Sequence, residues 1–247
     1  MKILGVIPAR YGSTRFPGKP LVMINGVSMI ERVYKQATLA STLSDVVVAT
    51  DDTRIFDHVH LFGGKVVMTS ANHPSGTDRC AEVVRKMSAD WDAVVNIQGD
   101  EPYIQPEQID LVASSFQLEE CKIATLVKAI DSELDLNNPN IPKVVVGADG
   151  RALYFSRRPI PYFSDDKLAG ALANGSFFRH IGIYGYRSDT LLRLAKLAPA
   201  PLELAESLEQ LRWLSHGYSI HVKTTTAENH AVDAPADVVK LERLFGG

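Results

Sequence analysis

ILGVIPARYGSTRFPGKP, residues 3–20, joins an apolar run to a loop rich in glycine, hydroxyl groups and cations. The apolar run predicts a buried first strand. The loop carries Arg10, Arg15 and Lys19, and residues 1–30 contain no Asp or Glu. Backbone N–H groups at a strand end, together with these cations, would hold a polyphosphate. The loop matches neither GxxxxGK[ST] nor GxGxxG, so a solvated basic loop is the alternative interpretation.

In the first half of the chain, short apolar runs alternate with stretches of helical period. Strands are predicted at residues 3–7, 46–49, 65–68 and 93–97, with helices at 28–40, 53–62 and 78–88. This alternation is typical of an α/β fold with three layers and a mostly parallel sheet. The segments PAR, ATDD, GTDR and QGDEP follow successive strands, and ligands of such sheets bind at the carboxyl ends of the strands.

The second half of the chain is less regular. Its predicted elements are a strand at 123–128, a hairpin of 143–146 with 152–155 around a two-residue Asp149-Gly150 turn, a flexible loop at 163–176, one helix at 202–215, a strand at 218–223 and a closing helix at 235–245. The hairpin and the 123–128 strand predict a small β-rich extension of the sheet. Because no repeat or long linker is visible, a single domain over residues 1–247 is expected.

The composition is that of an ordinary globular protein, with 247 residues, 45% hydrophobic and 22% charged residues, and a net charge of −3. This charge argues against general nucleic-acid binding and favours a small anionic ligand for the basic N-terminal loop. No signal peptide or transmembrane run is visible, so a cytoplasmic protein without membrane insertion is expected. Cys80 and Cys121 show no metal-ligand spacing and are expected to be buried free thiols.

Asp100 and Asp233 are the candidate metal ligands. Asp100 lies in QGDEP directly after a predicted strand, and Asp233 precedes the closing helix. Mg²⁺ needs only one or two carboxylates besides phosphate oxygens and water, so these residues could bind Mg²⁺ beside a bound polyphosphate. Helix or turn capping is the alternative role for each.

Further candidates lie at a predicted helix entry and in the second half of the chain. Ser75, Gly76 and Arg79 could contact a phosphate or ribose, whereas capping by Ser75 or Thr77 is the structural alternative. Arg157 could hold a carboxylate, and His180 borders an apolar strand, where a structural role is the alternative. Glu209 and Gln210 are expected in the middle of a helix. GxSxG, HExxH and a credible Cys–His pair are missing, which favours metal-assisted group transfer over covalent catalysis.

Taken together, these motifs resemble one family. The segments PARYGSTRFPGKPL, VATDD, HPSGTDR, NIQGDEP, YFSRRPIP, FRHIGIYGY, PLELAESLEQLR and AVDAPADV, in this order, resemble the 3-deoxy-manno-octulosonate (Kdo) cytidylyltransferases. The resemblance runs from residue 3 to about residue 243. It implies a Rossmann-like nucleotidyltransferase fold, a homodimer, and transfer of CMP from CTP to the anomeric hydroxyl of an eight-carbon sugar acid, with release of pyrophosphate, in lipopolysaccharide biosynthesis.

The resemblance also implies roles for individual residues. Lys19, Asp100 and Asp233 would be catalytic, with Mg²⁺ as cofactor on the two aspartates. The nucleotide would be bound by Arg10, Ser13, Arg15, Lys19, Ser75, Gly76 and Arg79. The sugar pocket would be lined by Gln98, Arg157, His180, Tyr184, Glu209 and Gln210, with Arg157 on the sugar carboxylate. Ala234 stands where the family usually has Thr.

Other functions remain as alternatives. A cytidylyltransferase for a related sugar acid, either 8-amino-Kdo or a nine-carbon sialic acid, differs from the leading hypothesis only in its acceptor. A glycosyltransferase would be expected to carry a DxD motif, which Asp51-Asp52 does not form. A non-catalytic nucleotide-binding regulator would not need both Asp100 and Asp233.

Overall fold

The computed structural model of the protein describes residues 1–12, 16–87 and 89–246. The backbone groups into two compact units, which consist of residues 1–114 with 228–247 and of residues 115–227. The expectation of a single domain stays a prediction.

A parallel sheet forms the core of the first unit. The strands up to residue 96 are β1 (Ile3–Ala9), β2 (Met23–Ile24), β3 (Val27–Ser28), β4 (Asp45–Thr50), β5 (Val66–Met68) and β6 (Ala93–Asn96). In the sheet they run in the order β6, β1, β4, β5, with each neighbouring pair parallel, while β2 and β3 form a short antiparallel ribbon. Val6 in the central strand pairs with Val47 on one side and Asn96 on the other. All four predicted strands are therefore confirmed.

Helices follow these strands as the sequence pattern predicts. They are α1 (Met29–Thr38), α2 (Thr53–Leu61), α3 (Gly76–Lys86) and α4 (Pro106–Ser114), the last of which was not predicted. The side chains of Ser28, Asp52 and Ser75 cap the first three by accepting a hydrogen bond from a backbone N–H of the first turn. Asp52 follows β4 by two residues, so α2 begins close to the carboxyl edge of the sheet.

The second unit contains a mixed sheet. Its elements are β7 (Ile123–Ala129), α5 (Glu133–Asn137), β8 (Lys143–Val146), β9 (Ala152–Ser156), α6 (Asp165–Ala173), β10 (Phe178–Arg187), α7 (Ser188–Leu194), α8 (Pro201–Glu206), α9 (Gln210–Ser215) and β11 (His221–Thr224). Strand β11 is parallel to β7, whereas the β7–β10, β10–β8 and β8–β9 pairs are antiparallel. The mixed α/β class and the β-rich extension are confirmed.

The prediction of a flexible loop at residues 163–176 was wrong, because this segment contains α6. Two aspartates in the first turn of α6 stabilise the helix, because their negative charges lie at the positive end of its dipole. The last turn of α6 buries Ala171 and Leu172. These side chains join Ile130, Leu136 and Phe177 in an apolar cluster, with Phe163 and Leu168 packed against it. Tertiary packing therefore holds a helix whose polar composition suggested a loop.

Two other local predictions need correction. The expected single helix at 202–215 is two helices, α8 and α9, separated where Ser207 adopts a left-handed conformation with φ of 53°. The β8–β9 hairpin is confirmed, but its turn spans residues 147–151 rather than two residues. Gly150 supplies a positive φ of 74° in this longer turn. The last strand, predicted at 218–223, is β11 and begins at His221.

The chain ends with α10 (Pro235–Phe245), as predicted, in the first unit. This helix and the segment before it bury Val232, Val238 and Leu241 against Ile24 and Met29. Cys80 and Cys121 are buried, and neither forms a disulfide with another described residue, as expected. Among the residues that the structure describes, no helix combines the length and apolarity needed to cross a bilayer.

Candidate active site

A cavity of about 480 Å³ lies at the carboxyl edge of the parallel sheet in the first unit. It is lined by Pro8, Ala9, Arg10, Gly12, Lys19, Pro20, Ser75, Gly76, Arg79, Gln98, Gly99, Asp100 and Asp233. These residues come from the loops after β1 and β6, from the start of α3 and from the segment before α10. The position agrees with the prediction that ligands bind at the strand ends.

A glycine allows the loop after β6 to touch the end of strand β1. A Cβ atom on Gly99 would lie 2.7 Å from the carbonyl oxygen of Pro8, closer than real Cβ atoms come to backbone. The absence of a side chain at this position therefore lets the QGDEP loop lie directly on the last residues of β1. This contact brings Asp100 to the cavity that Arg10 and Lys19 also line.

Lys19 connects three parts of the first unit. Its Nζ atom donates to Asp100 Oδ2 at 2.8 Å and to the Val232 carbonyl at 2.8 Å. The backbone N–H of Val232 donates in turn to the carbonyl of Asp100 at 2.9 Å. The side chains of Lys19 and Asp100 are 17% and 33% exposed, so this ion pair is only partly screened by water. The junction brings the segment before α10 beside the QGDEP loop.

Asp233 follows this junction, and its role as the N-cap of α10 is excluded. The N-cap residue is Ala234, which has no capping side chain. The carboxylate of Asp237 instead accepts from the backbone N–H groups of Asp233 and Ala234, at 2.9 and 2.8 Å. Asp237 thus takes the capping role, and Asp233 lines the cavity together with Asp100.

The donor set fits magnesium. Asp100 and Asp233 present carboxylate oxygens to one cavity, and hard oxygen ligands are those that Mg²⁺ prefers. Within residues 1–12, 16–87 and 89–246, no group of three or more His, Cys, Asp and Glu side chains could hold a metal ion. Two carboxylates would therefore be the protein's share of the ligands, with phosphate oxygens and water as the remainder.

The N-terminus of α3 opens onto the cavity. Ser75 is the N-cap, because its Oγ accepts from the backbone N–H of Asp78 at 3.2 Å and donates to Asp78 Oδ2 at 2.7 Å. The capping alternative is thus confirmed for Ser75, and Gly76 is the first helical residue. The positive end of the helix dipole at this point favours an anion, so nucleotide contact by Ser75 and Gly76 stays a prediction with physical support.

Arg79 is buried beneath the cavity, with only 1% of its surface exposed. Its Nη1 donates to Thr69 Oγ1, and its Nη2 lies 3.5 Å from Asp51 Oδ2. Apart from this ion pair, Nη2 of Arg79 and Oδ1 of Asp51 are buried and make no hydrogen bond in the described part of the chain. Burial lowers the pKa of Arg79, which the Asp51 carboxylate opposes. A donor left unsatisfied beside a cavity favours contact with a ligand.

The remaining predicted nucleotide ligands divide into two groups. Arg10 is exposed and lines the cavity, as expected. Ser13 and Arg15 lie outside the described residues. Gln98, which was predicted to bind the sugar, lines the same cavity as the nucleotide candidates.

His180 lies in the second unit, on β10. Its Nε2 is 3.0 Å from Thr125 Oγ1, and this hydroxyl donates to the Ile183 carbonyl at 2.7 Å. Because the Thr125 proton is used there, Nε2 of His180 is the donor and Nδ1 is the acceptor nitrogen. Burial lowers the pKa of His180 to about 3, so the imidazole is neutral at physiological pH. A neutral acceptor nitrogen suits a sugar hydroxyl.

The further sugar-site candidates of the second unit are Tyr184, Glu209 and Gln210, and the ring of Tyr184 lies at their centre. The ring of Tyr184 is 5.1 Å from that of His180 and 5.0 Å from that of Trp213. Burial, and then the charge of Glu209, raise the pKa of Tyr184 well above its usual range. The Tyr184 hydroxyl and the Gln210 Nε2 are buried and have no hydrogen-bond partner among the described residues. The structure therefore groups His180, Tyr184, Glu209 and Gln210, with polar atoms that a ligand could satisfy.

Glu209 and Gln210 were expected in the middle of a helix, and this expectation was wrong. Glu209 is the N-cap residue of α9, and Gln210 is the first residue of that helix. Gln210 and Trp213 are three residues apart and hence share a helix face, which packs towards Tyr184. The helix break at Ser207 therefore determines where both side chains lie.

Arg157 is held by backbone oxygens. Its Nε donates to the Glu206 carbonyl at 2.8 Å, its Nη1 to the Pro139 carbonyl at 3.0 Å and its Nη2 to the Ser207 carbonyl at 3.2 Å. Its backbone N–H also donates to the carboxylate of Glu206 at 2.9 Å. The guanidinium has five N–H groups, so two remain after these contacts. Contact of Arg157 with a sugar carboxylate stays a prediction. Its bonds to the Glu206 and Ser207 carbonyls also anchor the chain at the break between α8 and α9.

Two participants were not predicted from the sequence. Asp51 pairs with Arg79, and Thr125 fixes the tautomer of His180. Asp51 could have been found, because it follows strand β4 at the same sheet edge as the other candidates. Thr125 lies inside a strand of apolar neighbours, where nothing in the sequence pattern distinguishes it.

Comparison with known proteins places the chain in a family. The sequence profile described as cytidylyltransferase matches residues 4–222. A relative from Cytophaga hutchinsonii, named 3-deoxy-manno-octulosonate cytidylyltransferase, is 53% identical over 243 residues, which cover 98% of this chain and 96% of the relative. The chain belongs to the 3-deoxy-manno-octulosonate cytidylyltransferase family. A member from Parabacteroides distasonis with the same name is 51% identical over 97% of this chain and 96% of its own length.

A solved structure of the family agrees with the fold. It is described as CMP:2-keto-3-deoxy-manno-octonic acid synthetase complexed with CTP, and it is 42% identical to this chain. The superposition has a TM-score of 0.92 and covers 100% of this chain and 99% of that one. The resemblance inferred from the sequence motifs is therefore confirmed, and with it the nucleotidyltransferase fold.

Proposed function

We propose that this cytidylyltransferase transfers CMP from CTP to the anomeric hydroxyl of Kdo, with release of pyrophosphate. The product would be the activated sugar for lipopolysaccharide biosynthesis. The observation that carries the proposal is the cavity in which Lys19, Arg79 and the N-terminus of α3 meet the two carboxylates Asp100 and Asp233. Relatives at about half identity over nearly the full chain bear the corresponding name.

The cavity would bind the CTP phosphates. Lys19 and Arg10 supply positive charge, and the N-terminus of α3 adds the positive end of a helix dipole. Charge develops on the leaving pyrophosphate during transfer, and donors fixed in advance stabilise that charge without reorganisation. Lys19 is fixed in this way, because Asp100 and the Val232 carbonyl hold its ammonium group.

The second unit would bind the sugar. The neutral His180 can accept a hydrogen bond from a sugar hydroxyl at Nδ1. Tyr184 and Gln210 offer buried polar atoms that have no hydrogen-bond partner among the described residues. Correct orientation of the sugar hydroxyl towards the α-phosphorus would contribute several kcal/mol to the rate through proximity. No described side chain has the position and pKa shift of an obvious general base.

Magnesium is part of the proposal. Asp100 and Asp233 would hold the ion, which when bound supplies positive charge for the phosphate oxygens and lowers the pKa of the attacking hydroxyl. A homodimer, which the resemblance implied, and a cytoplasmic location, which was expected from the hydropathy of the sequence, belong to the same proposal.

The test is release of pyrophosphate by the purified protein with Mg²⁺. CTP is compared with UTP and ATP, and Kdo with 8-amino-Kdo and a sialic acid. The proposal predicts release that requires both CTP and Kdo. Release with another acid only would change the substrate, and no release with any acceptor, despite CTP binding, would contradict the transferase proposal.

A further inference from the structure

Asn229 links two segments beside the candidate metal site. Its Nδ2 donates to Glu101 Oε2 at 2.8 Å, and its Oδ1 accepts from Gln108 Nε2 at 3.1 Å. Glu101 directly follows Asp100, and Asn229 lies four residues before Asp233. One amide therefore connects the chain around both candidate metal ligands.

The Gln108 end of this connection is rigid. Gln108 is 1% exposed in α4, and its Oε1 accepts from the backbone N–H of Gln105 at 3.2 Å. With both ends of its amide engaged, Gln108 has a fixed orientation and presents Nε2 to Asn229. The contact thus fixes Asn229 relative to helix α4, in which Gln108 is buried.

The other end of the segment is fixed independently. Val232 is buried, its N–H donates to the Asp100 carbonyl at 2.9 Å, and its own carbonyl accepts from Lys19. Residues 229–232 are consequently attached to the QGDEP loop at both ends, by a side chain at Asn229 and by the backbone at Val232. Asp233 is the next residue, so its position relative to Asp100 depends on both attachments.

We propose that Asn229 is a positioning residue, which holds Asp233 and Asp100 at the separation needed to bind one divalent cation with the nucleotide. This inference rests on the proposed function. The donor and acceptor roles of the Asn229 amide are fixed, because Glu101 is a carboxylate that can only accept and the Gln108 Nε2 can only donate. An aspartate at this position would place two carboxylate oxygens at hydrogen-bond distance from one another.

The test uses the ratio of CTP affinities, measured by calorimetry with Mg²⁺ and in EDTA, on the full-length protein. Asn229→Asp is expected to lower this ratio about tenfold, the lower end of the loss observed when a residue that helps to orient metal ligands is replaced. Asn229→Ala, which adds no charge, is expected to lower it about threefold. CTP affinity in EDTA is expected to stay within about twofold of wild type in both.

Reversing the contact provides the rescue. Glu101→Gln alone keeps an acceptor for Asn229 and is expected to leave the ratio unchanged. In the double variant Glu101→Gln/Asn229→Asp the donor moves to residue 101, and the ratio is expected to return to within about threefold of wild type. Asn137→Ala is the matched control, since its exposed amide makes one bond, to the Glu133 carbonyl at 2.9 Å.

The outcomes are distinguishable. A ratio that stays at the wild-type value in folded Asn229→Asp and Asn229→Ala, or a loss that the double variant does not restore, overturns the inference while the proposed function stands. A wild-type protein whose CTP affinity does not depend on Mg²⁺ overturns the proposed function and the inference together. A lower melting temperature with an unchanged ratio identifies Asn229 as merely structural and overturns the inference too.

Discussion

Lys19 and Asp100 form an ion pair of 2.8 Å between residues 81 positions apart in the chain. The same ammonium group donates to the carbonyl of Val232, 213 positions away. A residue predicted to bind phosphate thus contacts a residue predicted to bind metal, beside the segment that carries the second candidate ligand. The candidate phosphate and metal ligands of the cavity are therefore connected, and substitution of Lys19 should affect the binding of both nucleotide and metal.

Lys19→Met is expected to lower kcat/KM by about 10²–10³-fold, because it removes fixed positive charge from the phosphate site. The methionine retains most of the aliphatic stem, so the fold should persist, as circular dichroism would check. Lys65→Met is the control, since Lys65 pairs with Asp45 while remaining 62% exposed. Equal activity of Lys19→Met and wild type would exclude Lys19 from the transfer step.

Asp100→Asn and Asp233→Asn keep the shape of the side chains and remove their charge. Each is expected to lower kcat at least about 100-fold and to raise the Mg²⁺ concentration needed for half-maximal rate, because an amide is a much weaker ligand for a hard cation. The measurement is a Mg²⁺ titration of pyrophosphate release. Asp149→Asn removes an exposed carboxylate and serves as control. If neither variant changed the titration, the proposed metal site would be wrong.

Tyr184→Phe separates binding from stability. Removal of a buried hydroxyl without a partner should leave stability unchanged or raise it, since the group is desolvated without compensation. The KM for Kdo is nevertheless expected to rise about tenfold, which corresponds to one lost hydrogen bond to the ligand. Tyr103→Phe is the matched control, because its hydroxyl is also buried without a partner among the described residues. Equal KM values in all three proteins would remove Tyr184 from the sugar site.

Glu82 fixes the loop before the N-terminus of α3. Its carboxylate accepts from the backbone N–H of Ser70, and it contacts His73 and Lys86. Burial raises the pKa of Glu82, but the hydrogen bonds from Lys86, Ser70 and His73 outweigh it and lower the pKa to about 2. The carboxylate therefore stabilises the fold fully above its ordinary pKa of 4.5, and this stabilisation is lost as the pH falls from 4.5 towards 2.

Glu82→Gln is accordingly expected to lower the free energy of unfolding by about 1–2 kcal/mol at pH 7 and to have a smaller effect at pH 3. Because Ser75 lies at the end of this loop, the KM for CTP should rise a few-fold. Urea unfolding at both pH values and steady-state kinetics check these effects. Glu31→Gln, which loses only a pair with the exposed Lys35, is the control. A pH-independent loss of stability would contradict the assigned role of the charge.

His180 gives a second pH dependence of stability, which has the same direction as that of Glu82 but is caused by burial. Its lowered pKa means that the unfolded chain takes up a proton between about pH 6.5 and 3 while the folded chain does not. Stability should therefore fall across this range as the pH is lowered. His180→Gln, which keeps a donor for Thr125, should show a smaller fall. An imidazole of His180 that titrates near pH 6.5 in an NMR experiment would contradict this account.

Four strands and three helices in the first half of the chain could be predicted because their apolar residues follow a regular period and α1, α2 and α3 each begin at a capping side chain, whereas β2, β3 and α4 were not predicted. The cavity could be located since Arg10, Asp100 and Ser75 follow strands whose carboxyl ends meet at one edge. The helix α6 was not predicted because the aspartates and glycines of residues 163–176 suggested a loop, although its Ala and Leu residues favour a helix and Leu172 packs into an apolar cluster. The break at Ser207 is a tertiary effect: no Gly or Pro marks it.

Side-chain partners were the least predictable feature. The sequence indicated Arg157 as a ligand, but its contacts with three backbone carbonyls depend on how α8 and α9 meet. The Asn229 connection depends on Gln108, 121 positions away, in a helix that was not predicted.

The most direct test is ³¹P NMR of the wild-type protein with CTP, Mg²⁺ and Kdo. Transfer of CMP predicts equal amounts of pyrophosphate and of a new phosphodiester signal, and neither without Kdo. Inorganic phosphate with CDP would show that the wrong bond is broken, and unchanged CTP would show that no transfer occurs. Either result would contradict the proposed function.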